Sequence, residues 1–392
     1  MSTETILVET PSESEFQTDK VLTISGGHFI NDVYTSLISP LLPVLIENLS
    51  LSLTQAGSLT AILRIPALLN PFIGYAADRV SLRYFIILAP AITGSLISMI
   101  GFIDSYIGMA ILLFFTGISV AAFHAPAPAM IARISGQQVG KGMSFFMAAG
   151  ELSRTVGPLL AVWAVSIWTL DGIYRLVVIG WVTSLILFIR LRNISARSSV
   201  AADWRTVIPA FRTLFLPLAG ISLFRNFMTA GLFTYLPTYM NQEGASLLVG
   251  GFTLSILEFA GVAGALSSGT LSDRLGRRRI LLVTTLLSSL FLLLFLNVDG
   301  WVIVPVLLAL GYTALSASPV MLAIVQDYLP DNRAVGNGIF IAIAFLMQTL
   351  AILVMGIIGD NYGLDKAYLF SALVSLLAIP IIFTLPKREN MG

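Results

Sequence analysis

Gly74-Tyr75-Ala76-Ala77-Asp78-Arg79-Val80-Ser81-Leu82-Arg83 and Gly269-Thr270-Leu271-Ser272-Asp273-Arg274-Leu275-Gly276-Arg277-Arg278-Arg279 are two versions of one charged pattern in a chain of 392 residues. They lie half a chain length apart. Gly74 and Gly269, Asp78 and Asp273, Arg79 and Arg274, Arg83 and Arg278 all keep the same offset. Such an offset means two related halves. Each copy falls where a long apolar stretch ends, which is the mark of a membrane transporter built from a repeat.

Composition agrees. Hydrophobic residues make up 56% of the chain and charged residues 11%, with a mean hydropathy of +0.89. A soluble protein carries about 25% charged residues. So few charges cannot cover a globular surface, and lipid must be the solvent for most of this one. The net charge of +1 decides nothing by itself. With 0 cysteines there is no disulfide framework and no thiolate metal site. The segment Met1–Lys20 has five acids, one base and no apolar core. It reads as a short disordered cytoplasmic tail and not as a signal peptide. No Gly-rich phosphate loop and no catalytic constellation is visible, so the chain is expected to be no enzyme, to need no cofactor and not to run on ATP.

A spanning helix needs roughly 20 mostly apolar residues. Spans are expected near 21–48, 53–77, 83–103, 106–133, 138–168, 172–191, 213–240, 246–272, 279–298, 301–328, 334–359 and 365–385. The expected fold is an all-α membrane protein, with twelve transmembrane helices in two pseudo-symmetric six-helix bundles. Its parts are a tail (1–20), an N-terminal bundle (21–191), a cytoplasmic linker (192–212) and a C-terminal bundle (213–386). Lys and Arg set the orientation. With a cytoplasmic N-terminus, seventeen of them lie on the cytoplasmic side, among them Arg79, Arg83, Arg133, Arg197, Arg274 and Arg333. Only Arg175 and Lys366 lie opposite. Both termini are therefore expected in the cytoplasm, in a multi-pass protein of the cell (inner) membrane.

The Gly-x-x-x-Asp-Arg pattern after spans 2 and 8 resembles the loop signature of the major facilitator superfamily, and the resemblance covers essentially the whole chain. The first copy departs from it at Ser81, where the pattern has Gly. A narrower resemblance is to the fosmidomycin-resistance group of efflux proteins. It rests on Gly27-His28-Phe29-Ile30-Asn31-Asp32, on Pro40-Leu41-Leu42-Pro43 and on Phe123-His124-Ala125-Pro126. Ser153 and Gly157-Pro158 look like a degenerate antiporter motif, while the Arg usual in span 4 of drug/proton antiporters is missing from Leu112 to Gly117. The resemblance implies two bundles that rock around a central cavity lined by spans 1, 2, 4, 5, 7, 8, 10 and 11. It also implies that Asp78, Arg79, Arg83, Asp273, Arg274 and Arg278 act as a gating latch. A carboxylate there can accept hydrogen bonds from a helix N-terminus, and the arginines can pair with neighbouring acids or carbonyls.

Six ionisable groups fall inside spans: Asp32, Arg64, Glu151, Arg154, Arg225 and Glu258. Each costs about 2.5–3.5 kcal/mol on insertion scales if left in hydrocarbon, so each must face protein, water or another charge. Three acids and three bases sum to zero, which suggests mutual pairing. Glu151 and Arg154 share a helix face. Asp32 is the first expectation for a proton carrier, followed by Glu151 and Glu258, with His28 one turn before Asp32 to tune it. Arg64, Arg154 and Arg225 suit an anionic substrate, because a guanidinium binds carboxylate or phosphonate bidentately. His124, Asn31 and Tyr34 complete the expected substrate-binding set. Two histidines and one aspartate can in principle hold a metal, but no metal site is expected.

The sequence thus points to a secondary active transporter working by alternating access: proton-coupled efflux of a small organic compound, anionic or drug-like. An importer or facilitator of an organic anion is the alternative. A metal-ion transporter and a non-transporting membrane sensor rank behind it. The expected partners are the substrate, protons and the bilayer, with no nucleic acid, around a monomer.

Overall fold

The computed structural model describes residues 16–70, 72–73, 82–194, 209–329 and 333–386. Asp78 and Arg79 of the first loop copy lie outside the described residues, as do most of the expected tail and linker.

Twelve helical segments follow one another among the described residues, with no strand. They are α1 (Thr18–Leu49), α2 (Leu53–Leu69), α3 (Arg83–Phe102), α4 (Tyr106–Ile134), α5 (Val139–Trp168) and α6 (Asp171–Leu191) in the N-half. The C-half holds α7 (Phe211–Gln242), α8 (Leu247–Leu275), α9 (Arg277–Phe295), α10 (Gly300–Tyr328), α11 (Arg333–Tyr362) and α12 (Leu364–Ile382). Each expected span has a helix among the described residues, and the end of the second, 74–77, lies outside them. The borders move at two places: α1 starts inside the expected tail, and α7 opens with a π-helical turn, Phe211–Phe215, inside the expected linker.

Local chemistry sets the ends. Ser52 and Gln55 form a capping box at the start of α2, and the hydroxyls of Ser105 and Ser246 cap α4 and α8. Each cap takes up an otherwise orphaned N–H group. Between α8 and α9, Gly276 adopts φ +95°, a left-handed turn that L side chains avoid. The helices also break in matching places. α4 is interrupted at Ala125 beside Pro126, and its counterpart α10 at Ser316, three residues before Pro319. α1 is interrupted at Leu37, ahead of Pro40 and Pro43.

The outward face is apolar. On α6, Val178, Trp181, Leu185 and Ile189 stand exposed at helical spacing. Exposed aliphatic and aromatic side chains in such numbers suit lipid. The chain is a multi-pass membrane protein.

Both described chain ends lie on one side, called here the terminal side. The backbone N–H of Gln17 bonds the carbonyl of Ile134 at the end of α4, and Leu385 shares a core with Ala210 and Leu329. The opposite, far side is where the halves join. Buried side chains form four clusters. The two on the terminal side each draw on one half alone. The far-side cluster of the C-half takes in Leu53 and Ile46 of the N-half.

Hydrogen bonds seal the same region. Asp360 near the end of α11 accepts from the backbone N–H groups of Leu53 and Thr54 (2.6 and 2.9 Å) and from the Thr54 hydroxyl (2.5 Å). It occupies the N-terminus of α2, where the helix dipole favours negative charge. Tyr235 of α7, fully buried, points its hydroxyl at the carbonyls of Leu53 and Ile352 (3.1 and 3.2 Å). Gly57 makes room for that ring, since a Cβ there would collide with the Tyr235 hydroxyl. The structure is therefore closed on the far side.

Candidate functional site

Where the halves meet at mid-depth, α2, α5 and α8 bring four charged groups together, with the neutral Gln348 of α11 beside them. Arg64 ends a 12-residue helical stretch that starts at Leu53, about 18 Å in from the far face at 1.5 Å per residue. Its Nη1 donates to Gln348 Oε1 of α11 (2.9 Å). Arg154 of α5 is ion-paired with Glu151 one turn earlier. Its Nε lies 3.5 Å from Glu258 Oε2 of α8. Phe233 of α7 stands 5.9 Å from the same guanidinium, within the range of a cation–π contact.

This junction crosses the halves: Glu258 belongs to the C-half, Arg154 and Glu151 to the N-half. Glu258 is 4% exposed. Its Oε2 and the Nε of Arg154 have no hydrogen-bond partner among the described residues, so the pair is held by charge across a gap slightly too long for a bond. Two carboxylates compete for one guanidinium. The second guanidinium, Arg64, is held among the described residues by a neutral amide. Such a cluster can release a carboxylate to a proton or take an anion on Arg64 with little rearrangement.

A second constellation lies inside the N-half, on α1 and α4. Asp32 Oδ2 is 3.1 Å from His28 Nε2 and 3.3 Å from His124 Nε2. The two Nε2 atoms are 3.1 Å apart. The Nδ1 of His28 faces the Phe146 carbonyl (2.8 Å) and that of His124 the Val120 carbonyl (2.9 Å). The His28 ring stacks on Phe146 at a centroid distance of 4.0 Å and lies near-parallel to Phe123 at 5.7 Å. Gly150 of α5 lets that ring fit, because a Cβ there would come 2.5 Å from Cε1.

Three residues of the expected substrate-binding set are hydrogen-bonded within their own halves in this state. Asn31 is fully buried. Its Oδ1 accepts from Thr93 on α3 (3.0 Å) and its Nδ2 donates to Asp32 Oδ1 (3.1 Å), so it positions Asp32. Tyr34 is buried against α6, donating to the Leu176 carbonyl (2.6 Å) and accepting from the Gly180 N–H (2.8 Å). Arg225 is 3% exposed inside the C-half. It donates to the Thr285 hydroxyl (2.6 Å) and the Ala314 carbonyl (3.0 Å), tying α7 to α9 and α10. No carboxylate pairs with it among the described residues, so equal numbers of acids and bases did not mean mutual pairing.

The loop signature is likewise rearranged. Asp273 pairs one turn ahead with Arg277 (2.6 Å), and Arg277 also reaches Asp327 of α10 (3.2 Å). All three residues are in the C-half. Arg274 is exposed, and the Nε of Arg278 has no hydrogen-bond partner among the described residues. Arg83 lies over Tyr84, 5.1 Å from the ring. Arg277 thus joins Asp273 to α10 inside the C-half in this state. Among the described residues, the carboxylate that caps a helix of the other half is Asp360, on the far side.

Comparison with known proteins follows the same lines. A family model described as Major Facilitator Superfamily matches residues 24–296 and again 262–391. The chain is 26% identical over 379 residues to the fosmidomycin resistance protein of Escherichia coli (strain K12), covering 94% of this chain and 93% of that protein. Among solved structures, a bacterial homologue of the human lysosomal transporter Spinster, in an inward-facing and occupied conformation, superposes with a TM-score of 0.81 at 14% identity. That match covers 96% of this chain and 97% of the other. A D-xylose–proton symporter superposes with a TM-score of 0.75 at 16% identity, covering 96% and 99%. At such identities the two structures speak for the fold alone.

Proposed function

The chain belongs to the Major Facilitator Superfamily, and from that premise we propose that it is a proton-coupled secondary transporter exporting a small organic anion by alternating access. The observation that carries this reading is the mid-depth junction, where a carboxylate of one half faces a guanidinium of the other. In this reading Glu258 takes and releases the proton, and Arg64 with Arg154 receives the anion. Protonation of Glu258 removes its attraction to Arg154 and loosens the halves from each other. The terminal side is the cytoplasmic one, so the closed far side makes this the state that loads from the cytoplasm.

The export direction is supported by the similarity to the fosmidomycin resistance protein. The charges favour a second reading of direction. An anion on Arg64 cancels positive potential near Glu258 and so favours the protonated acid. Anion and proton would then bind together, as in an importer. Export by exchange needs them to bind on alternate passes.

Anion binding measured as a function of pH separates the two. Tighter binding at lower pH supports co-transport inward, and weaker binding supports exchange. Glu258→Gln should abolish accumulation driven by a pH gradient while counterflow exchange persists. If that variant still concentrates substrate against a gradient, Glu258 is not the proton site.

A further inference from the structure

We propose that His28, Asp32 and His124 form a binding site for a divalent transition-metal ion, with Zn2+ the best match. The inference concerns the N-half alone and does not depend on the substrate or direction of transport.

The first ground is geometry. The three ligand atoms stand 3.1, 3.1 and 3.3 Å from one another. Ligands held at about 2.0–2.1 Å from a tetrahedral Zn2+ are separated by about 3.3 Å. An ion could enter with adjustments of a few tenths of an ångström.

The second ground is proton bookkeeping. A backbone carbonyl only accepts, so the Nδ1 facing the Phe146 carbonyl and the Nδ1 facing the Val120 carbonyl must each carry the ring proton. In the neutral imidazoles both Nε2 atoms then present lone pairs. Those lone pairs and a carboxylate oxygen converge on one point with no donor among them. A single proton there serves at most two of the three acceptors. A divalent ion serves all three at once.

The surroundings are those of a metal centre. Each histidine is oriented through its other nitrogen by a carbonyl, as metal-bound histidines usually are. Asn31 donates to Asp32 Oδ1 and leaves Oδ2 directed at the histidines. Phe123 and Phe146 fix the His28 ring in plane. The side chains of His124 and Asp32 are 30% and 19% exposed, against 6% for His28. The fourth position therefore opens on the Asp32 and His124 side, where water or an oxygen of a small molecule completes the coordination. Two imidazoles and one carboxylate suit Zn2+, Co2+ or Ni2+ better than Mg2+ or Ca2+.

The test is a Co2+ titration of the purified full-length protein in detergent, freed of any polyhistidine tag. The expected result is the intense visible ligand-field absorption of four-coordinate Co2+, saturating at one ion per chain and lost on adding Zn2+. His28→Ala and His124→Ala should abolish it, and Asp32→Asn should weaken binding at least tenfold. Glu258→Gln should leave it intact. Zn2+ should also raise the melting temperature of the wild type and of Glu258→Gln, but not of His124→Ala, whose side chain is the most exposed of the three. Co2+ that remains six-coordinate with the wild-type protein overturns the proposal. So does an absorption band that survives the double variant of both histidines.

Discussion

At the far side a carboxylate of one half caps a helix of the other; at the terminal side the carboxylates pair within their own half. Asp360 holds the first turn of α2 across the interface, whereas Asp273 and Asp327 share Arg277 inside the C-half. Bonds that cross the interface must break whenever the halves move apart. Bonds inside a half travel with it. By that criterion Asp360 belongs to the gate and Arg277 to the scaffold, although the charged loop motif drew attention to the terminal side.

The comparison can be broken most forcefully at Gly57. Gly57→Val places a branched side chain where the Tyr235 hydroxyl and Ile352 already sit. The far side should then be unable to close, and transport should cease. The chain has 0 cysteines of its own, so a single Leu53→Cys reports the change directly. Leu53 is 8% exposed when the halves are joined, and its maleimide labelling should rise at least tenfold in the Gly57→Val background. Unchanged labelling would mean that this contact does not govern closure.

Asp360→Ala comes next. Losing a cap of this kind costs about 1–2 kcal/mol, which moves the equilibrium roughly 5- to 30-fold toward the open far side. The same Leu53→Cys reporter measures it, and Asp360→Asn should fall between the variant and the wild type.

Arg225→Met sharpens the contrast from within the C-half. Removing the guanidinium takes a donor from the Thr285 hydroxyl and the Ala314 carbonyl, at a cost of about 1–3 kcal/mol. The variant should fold, keep its far side closed and retain anion binding. A well-folded Arg225→Met protein that binds no anion would return Arg225 to the substrate site.

The smallest effect is expected from Arg277→Ala. A partly exposed ion pair contributes about 1 kcal/mol or less. The melting temperature should fall by a few degrees, with Leu53→Cys labelling unaltered.

How much of this was legible in the sequence follows from distance along the chain. Apolar runs marked all twelve helices, because lipid allows little else. Charges inside those runs marked the mid-depth cluster. The spacing of His28 and Asp32 revealed a shared face, but His124, 92 residues beyond Asp32, joined them only through packing. Asp360 looked like any polar residue at a helix end, and its partners are more than 300 residues away. Gln348 carries no charge and gave no signal beside Arg64. Asn31 and Tyr34 sit in a span that does carry functional groups, yet face its packed side. Arg225 shows why charge counting fails: a hydroxyl and backbone carbonyls can satisfy a guanidinium as an acid would.

The capping box on α2 sets the cost of a working cycle. Ser52 and Gln55 satisfy two of the helix's leading groups from within the same chain segment. When Asp360 withdraws, water can replace it at the Leu53 and Thr54 amides without the first turn unwinding. Opening is then an exchange of one solvating group for another at a helix that stays wound, so each turnover escapes the nucleation penalty of remaking a helix end.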